Sequence, residues 1–244
     1  EPGKQIITRY KLYMGPKETD ELEKFGNRLE ESLDLSLKAL SMPLLAMLQW
    51  FYGLAGNWGV AIILLTLVVR VVLFPLTYKG MVSMKRLQKL QPKVTALKER
   101  LKNDKDKFGK ELMGLYRKHK VNPLNGCLPM LLQIPIFFAL YSALMGAIEL
   151  RHTEFFGWIT DLSAKDGLYI LPVLMGASMF FQQKMSPPPA DALQAKMFQF
   201  LPLILTVFML NFPSGLVLYW TVSNLLSILQ QVVINRAHIP EPQD

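Results

Sequence analysis

The sequence predicts an all-α membrane protein with five transmembrane helices around a cytosol-open hydrophilic groove, a cytosolic helical hairpin and an outer interfacial amphipathic helix. Three observations predict it. The chain of 244 residues is 51% hydrophobic yet 19% charged, with mean hydropathy +0.23, a mixture that requires apolar and charged blocks to be kept apart. Several apolar stretches approach the roughly 20 residues a helix needs to cross a bilayer. The positive charge is local: residues 79–120 hold eleven lysines and three arginines against four acids, a net +10 within a chain of net +8. A basic block beside a span marks the cytosolic side.

Residues 1–31 are polar, and Gln5–Met14, with Ile6, Ile7, Thr8, Tyr10 and Tyr13, reads as one strand of a sheet whose other strands lie elsewhere; Gly15-Pro16 ends it. The chain opens Glu1-Pro2-Gly3 without Met or a signal-like segment and reads as a fragment or processed form. Residues 32–55 form an amphipathic helix, with Leu33, Leu37, Leu40, Leu44, Leu48 and Phe51 on one side, a cap near Ser32 or Asp34, and a kink at Pro43. Lying in the outer interface with Trp50 and Tyr52 at headgroup level suits it; an ordinary soluble-domain helix is the alternative.

Residues 57–78 are the first span. Inside it stands Arg70, which keeps its proton and costs about 2.5–3.5 kcal/mol at mid-helix on insertion scales. No apolar stretch offers an Asp or Glu to pair with it. Either Arg70 snorkels to the headgroups, or it faces a wet cavity inside the protein, the reading preferred here.

Residues 79–121 form the basic hairpin. Met84, Leu87, Leu90, Val94, Leu97 and Leu101 repeat along one arm, bent at Pro92, and Phe108, Leu112, Leu115 and Tyr116 along the other, with a turn at residues 103–106. Its basic outside, with Lys85, Arg86, Lys89, Lys93, Lys98 and Arg100, suits anionic lipid, ribosomal RNA or an acidic protein, the positive-inside bias alone being the plainer explanation. Without interleaved aromatics it does not read nucleic-acid sequence.

After the breaker run Asn122–Gly126 come four more spans, 128–148, 167–183, 197–212 and 214–234. An outer loop, 149–166, carries Phe155, Phe156 and Trp158; a cytosolic loop, 184–196, holds three consecutive prolines; the tail, 235–244, is cytosolic. Ala139, Ala143 and Ala147 form a close-packing edge. Spans 167–183 and 197–212 are short for a hydrocarbon core of about 30 Å and predict local thinning of the bilayer.

Little chemistry is available. The one cysteine, Cys127, forms no internal disulfide, and His119, His152 and His238 fall outside the spans without metal-ligand spacing. Phe212-Pro213-Ser214-Gly215 lacks the surroundings of a serine nucleophile, so neither an enzyme, a cofactor nor a metal is expected. Without an intramembrane carboxylate an ion-coupled transporter is disfavoured, though a passive channel or small-solute carrier stays open, as does a purely structural membrane partner. What remains is a polar set inside apolar helices: Thr66 and Arg70, then Gln133, then Tyr219, Trp220, Ser223 and Asn224. Singly these are interhelical glue, the reading favoured for Ser223; together with an uncompensated arginine they define a hydrated groove open to the cytosol and closed outside. Thirteen methionines and the aromatics near Phe137 and Phe208 give adaptable apolar surface for a client of variable sequence.

The run Gly56-Asn57-Trp58-Gly59, Arg70, Phe74-Pro75-Leu76-Thr77, Leu90-Gln91-Pro92-Lys93, Val121-Asn122-Pro123-Leu124, Gly126-Cys127-Leu128-Pro129, Gln133-Ile134-Pro135-Ile136-Phe137 and Phe212-Pro213-Ser214-Gly215-Leu216-Val217-Leu218-Tyr219-Trp220, then Ser223-Asn224, resembles the YidC/Oxa family of membrane-protein insertases over about residues 33–236. Residues 11–17 resemble the end of the periplasmic β-domain of its Gram-negative members, whose first transmembrane helix and most of that domain would lie outside this chain. The resemblance implies an insertase and chaperone of the bacterial inner membrane, N-terminus periplasmic and C-terminus cytosolic, acting on nascent membrane-protein clients in the lipid bilayer. It implies a client-binding groove of Arg70, Thr66 and Gln133, beside Tyr219, Trp220 and Asn224. It implies a greasy client slide of Ile134, Pro135 and Phe137 facing Leu203, Ile204, Thr206 and Phe208. The basic hairpin and tail are implied contacts for the ribosome, the SRP receptor and the Sec translocon. The chain departs from the family pattern at Asn211 and Trp220, where an aromatic and a second Tyr are usual, and in a tail that is short and not basic.

Overall fold

A computed structural model describes residues 12–15, 22, 24–25, 37–102, 104–119, 121–122, 128–186 and 192–236. Most of the expected strand, the cap at Ser32 or Asp34, the breaker at 123–127, the triple proline and the tail lie outside these residues. Residues 12–15 carry no strand, and all the regular structure described is helical.

The element order is α1 (Lys38–Ala55), α2 (Trp58–Arg100), α3 (Lys105–Lys118), α4 (Leu128–Gly146), a 3-10 turn (Ile148–Leu150), α5 (Ile170–Lys184), α6 (Ala192–Met209) and α7 (Ser214–Arg236). Gly56, at φ 64°, closes α1 in the left-handed region that favours glycine. Asn57 then caps α2, its side-chain oxygen accepting from Val60 N at 3.1 Å. Asp104 caps α3 in the same way, accepting from Lys107 N at 2.9 Å.

One element differs from expectation. The first span and the first arm of the hairpin are a single helix of 43 residues, about 65 Å long, with Pro75 and Pro92 inside it. Residues 79–84, Lys-Gly-Met-Val-Ser-Met, hold only one glycine and no proline, so the polarity changes without any signal that stops a helix. Periodicity reports which face is apolar; it does not report where a helix ends.

Among the described residues, α2 and α7 are the two helices long and apolar enough to cross a membrane. α7 packs against α2 and α5, and less extensively against α4; α1 packs against α2 and α4; α6 packs on α5. The core lies where α1, α2, α4 and α7 meet, around Leu48, Ile62, Leu65, Leu140, Leu216 and Val217. The alanine edge of α4 is buried, with Ala139 and Ala143 fully enclosed. α1 sinks Leu44, Leu45, Leu48 and Phe51 into this core and leaves Trp50 and Leu54 exposed. Each such buried side chain contributes about 1.5–3 kcal/mol relative to exposure to water.

The 149–166 loop is docked on the start of α7, whose first backbone N–H groups need partners from outside the helix. Ser214 N donates to Ala164 O at 2.7 Å, and Gly215 N to Leu162 O at 2.9 Å. Asp166, buried at the start of α5, accepts from Leu171 N at 2.7 Å, Leu168 N at 3.0 Å and Trp158 Nε1 at 3.3 Å. Its carboxylate thereby ties the loop to the helix it precedes.

Candidate client-binding groove

α7 is the polar spine of the molecule. Tyr219, Ser223, Ser227 and Gln231 recur every fourth residue, so they lie along one face, with Asn224 beside them. Each neighbouring helix is bonded to this spine. Gln133 Nε2 of α4 donates to Tyr219 OH at 2.8 Å. Asn224 Nδ2 donates to Ser178 Oγ of α5 at 3.3 Å, and Gln231 Nε2 to Met185 O at 3.1 Å. Gln230 Nε2 donates to Thr77 Oγ1 of α2 at 3.1 Å. At the end of α7, Lys85 Nζ donates to Ile234 O and Asn235 O, each at 3.0 Å, placing a cation on the carbonyls that a helix C-terminus leaves open.

Arg70 reaches this spine through one residue. Its Nε donates to Ser223 Oγ at 3.0 Å, and its Nη2 donates to Ser223 O at 2.7 Å and Oγ at 2.5 Å. The partners are neutral, and no acidic residue stands in the helix segments around it, α2 from Trp58 to Tyr78, α4, α5 and α7. Ser223, expected from sequence to be packing glue, is instead the residue that holds Arg70, and the four-residue repeat of polar groups on α7 is the signal that could have found it.

Beside Arg70 lies a cavity of about 400 Å³. Gln133, Trp220, Asn224, Ser227 and Gln231 line it with Arg70, and Ile134, Phe137, Phe138, Leu201 and Leu205 give it an apolar wall. Met81, Met84, Met179 and Gln182 also line it. No acidic side chain is among the described residues lining it.

The predicted groove residues thus divide. Arg70, Gln133, Trp220 and Asn224 line the cavity, while Tyr219 is buried behind it as the acceptor for Gln133. Thr66, fully buried, donates its hydroxyl to Ile62 O of its own helix at 2.6 Å and does not line the cavity. The slide residues divide as well. Ile134 and Phe137 line the cavity; Pro135 does not. On α6, Leu203, Ile204 and Phe208 are exposed on the outside of the bundle, and Leu201 and Leu205 supply the wall. Thr206 packs against Gly176 of α5 and donates to Pro202 O at 2.7 Å. A chain of rings links α6 to α4 and α7: Phe208 to Phe212 at 4.9 Å, Phe212 to Tyr141 at 5.9 Å, Tyr141 to Phe137 at 6.4 Å and Phe137 to Trp220 at 5.0 Å. The spacing along α6 left open which of its faces turns inward, and only packing against α5 decides it.

In the hairpin, Lys89, Lys93, Lys98 and Arg100 are exposed; Arg100 pairs with Glu111 across the two arms. Lys93 Nζ lies 3.4 Å from Nε2 of the buried His119, and Arg86 Nε is buried without a hydrogen-bond partner among the described residues. Among the described residues no group of three or more His, Cys, Asp or Glu is placed to hold a metal.

Long apolar helices, a buried polar spine and an arginine lining a partly open cavity define an α-helical membrane protein. Residues 50–241 match the family model described as the 60Kd inner membrane protein, and the chain belongs to this family, the YidC/Oxa family. Similar proteins include the membrane protein insertase YidC of Geotalea daltonii, 53% identical over 237 residues that make up 97% of this chain and 45% of the relative. That of Geobacter sulfurreducens is 52% identical, again over 97% of this chain and 45% of the relative. Among solved structures, the crystal structure of an active YidC insertase with its first transmembrane domain resolved aligns with a TM-score of 0.68 at 28% identity, covering 90% of this chain and 51% of that one. The chain spans about half the length of the curated relatives it matches.

Proposed function

We propose that this chain is the core of a membrane-protein insertase and chaperone of the inner membrane, and that the Arg70 cavity is where a client segment is received. The observation that carries the reading is a permanent cation whose partners among the described residues are neutral, beside a cavity whose other wall is apolar. A polar client segment finds charge and amides on the α2–α7 side, and an apolar segment finds Ile134, Phe137, Leu201 and Leu205 on the other. Such a site lowers the free energy of moving polar chain into the membrane and needs no chemical step.

In this reading α2, up to about residue 78, and α4 to α7 are five spans. The basic hairpin is cytosolic and the 149–166 loop periplasmic, as the excess of Lys and Arg dictates. The N-terminus is then periplasmic and the C-terminus cytosolic. α5 and α6, at 15 and 18 residues, extend only about 22 and 27 Å, so the bilayer thins beside them. The hairpin, with its exposed lysines, is the surface for the ribosome, the SRP receptor or the Sec translocon.

The test is insertion of a short single-span client into proteoliposomes holding the purified protein alone, scored by protease protection of the translocated end. Insertion is expected with wild type, largely with Arg70→Lys, and not with Arg70→Ala. Equal insertion by Arg70→Ala of clients with acidic outer segments overturns the role of the charge. Ion or solute flux without any client, and no insertion, points to a passive channel or carrier instead.

A further inference from the structure

The guanidinium of Arg70 offers two forked edges to an anion, and both use Nη2. Ser223 holds Nη2 twice, through its carbonyl and its hydroxyl, and holds Nε through the hydroxyl. Nη1 has no partner among the described residues, and Arg70 lines the cavity. No other charged side chain among the described residues lines it.

We propose that Ser223 is the positioning and specificity residue of the groove: by occupying the forked edge of Arg70 it limits a passing client carboxylate to a single-point contact through Nη1. The inference rests on the insertase reading and extends it to release. A two-point arginine–carboxylate pair in a low-dielectric site is short, strong and geometrically fixed. An insertase that offered such a pair would hold acidic clients instead of passing them on. A single N–H contact attracts the same group and lets it go. Ser223 reaches Arg70 with a side-chain oxygen and its own carbonyl at once, because the two residues face each other where α2 and α7 pack.

Two single-span clients test this, identical except for one Asp or Asn in the translocated segment, each carrying a photo-crosslinker beside that position. The readout is the ratio of retention, Asp client over Asn client, in proteoliposomes of the full protein. Ser223→Ala removes the hydroxyl and frees Nε, so the ratio rises about tenfold, the factor that one charge-assisted hydrogen bond of about 1.4 kcal/mol supplies. Ser223→Thr keeps the hydroxyl and returns the ratio to the wild-type value. On the Arg70→Lys background, where no fork exists, Ser223→Ala leaves the ratio unmoved. An unchanged ratio in Ser223→Ala overturns the assignment, as does an equal rise on the lysine background. A wild type that captures and inserts both clients while the ratio stays flat overturns this inference alone. A wild type that captures neither overturns the insertase reading with it.

Discussion

Gly176 is where α6 meets α5, and replacing it with alanine tests how the outer wall of the cavity is held. A Cβ built at Gly176 lies 2.0 Å from Thr206 Oγ1, 3.1 Å from its Cβ and 3.3 Å from its Cγ2. Rotating the hydroxyl away breaks its bond to Pro202 O, and it does not move the Thr206 Cβ, which is set by the backbone. The two helices must therefore separate by a few tenths of an ångström. Overpacking of this kind costs about 1–3 kcal/mol. Alanine returns up to about 1 kcal/mol through helix propensity. The expected net destabilisation of Gly176→Ala is about 1–2 kcal/mol, or a few degrees in Tm for a chain of this size. Thermal unfolding in detergent, followed by circular dichroism, measures it. Thr206→Ala introduced with Gly176→Ala removes the Oγ1 and Cγ2 contacts, leaves only the 3.1 Å approach of the two Cβ atoms, and recovers about 1 kcal/mol of coupling. A single variant as stable as wild type, or a double variant no better than the single, refutes the account of how α6 is seated.

Three further outcomes follow from the end of the molecule that holds the 149–166 loop. Gly59→Ala places a Cβ 2.0 Å from the Phe155 ring and is expected to destabilise by about 1–3 kcal/mol, with Phe155→Ala relieving most of it in the same unfolding assay. Asp166→Ala leaves the Leu168 and Leu171 N–H groups and the Trp158 indole without their acceptor; unfolding shows a loss of about 1–3 kcal/mol, and hydrogen exchange rises first at residues 166–171. Burial pushes the Asp161 carboxyl up, but donors from the Ser163 side chain and backbone and from the His152 and Ala164 backbones outweigh it and hold the group below its ordinary value. A depressed carboxylate stabilises the fold above its unfolded value, and that stabilisation is lost as pH falls through the folded one. Protection of the 151–166 loop in hydrogen exchange therefore declines on acidification, and Asp161→Asn removes this part of the decline.

Much of this protein was legible in order of residues alone. The helical class, the turn between the two hairpin arms, the alanine edge of α4 and the uncompensated charge of Arg70 all follow from local rules: apolar length, turn-forming residues, small-residue spacing and a charge whose desolvation demands a partner. The polar repeat at Tyr219, Ser223, Ser227 and Gln231 was equally readable as a stripe. Tertiary structure decided which partner the charge takes and which faces turn inward. Ser223, not water alone, answers Arg70, because α2 and α7 pack side by side at that level. Thr66 spends its hydroxyl on its own helix although it stands one turn from Arg70. Leu201 and Leu205 form the cavity wall in place of Leu203 and Ile204, because Thr206 seats against Gly176 and fixes the rotation of α6. Sequence patterns specify faces of helices relative to themselves; the rotation of one face toward another is set by which small residue lets two backbones approach, and that is a property of the pair.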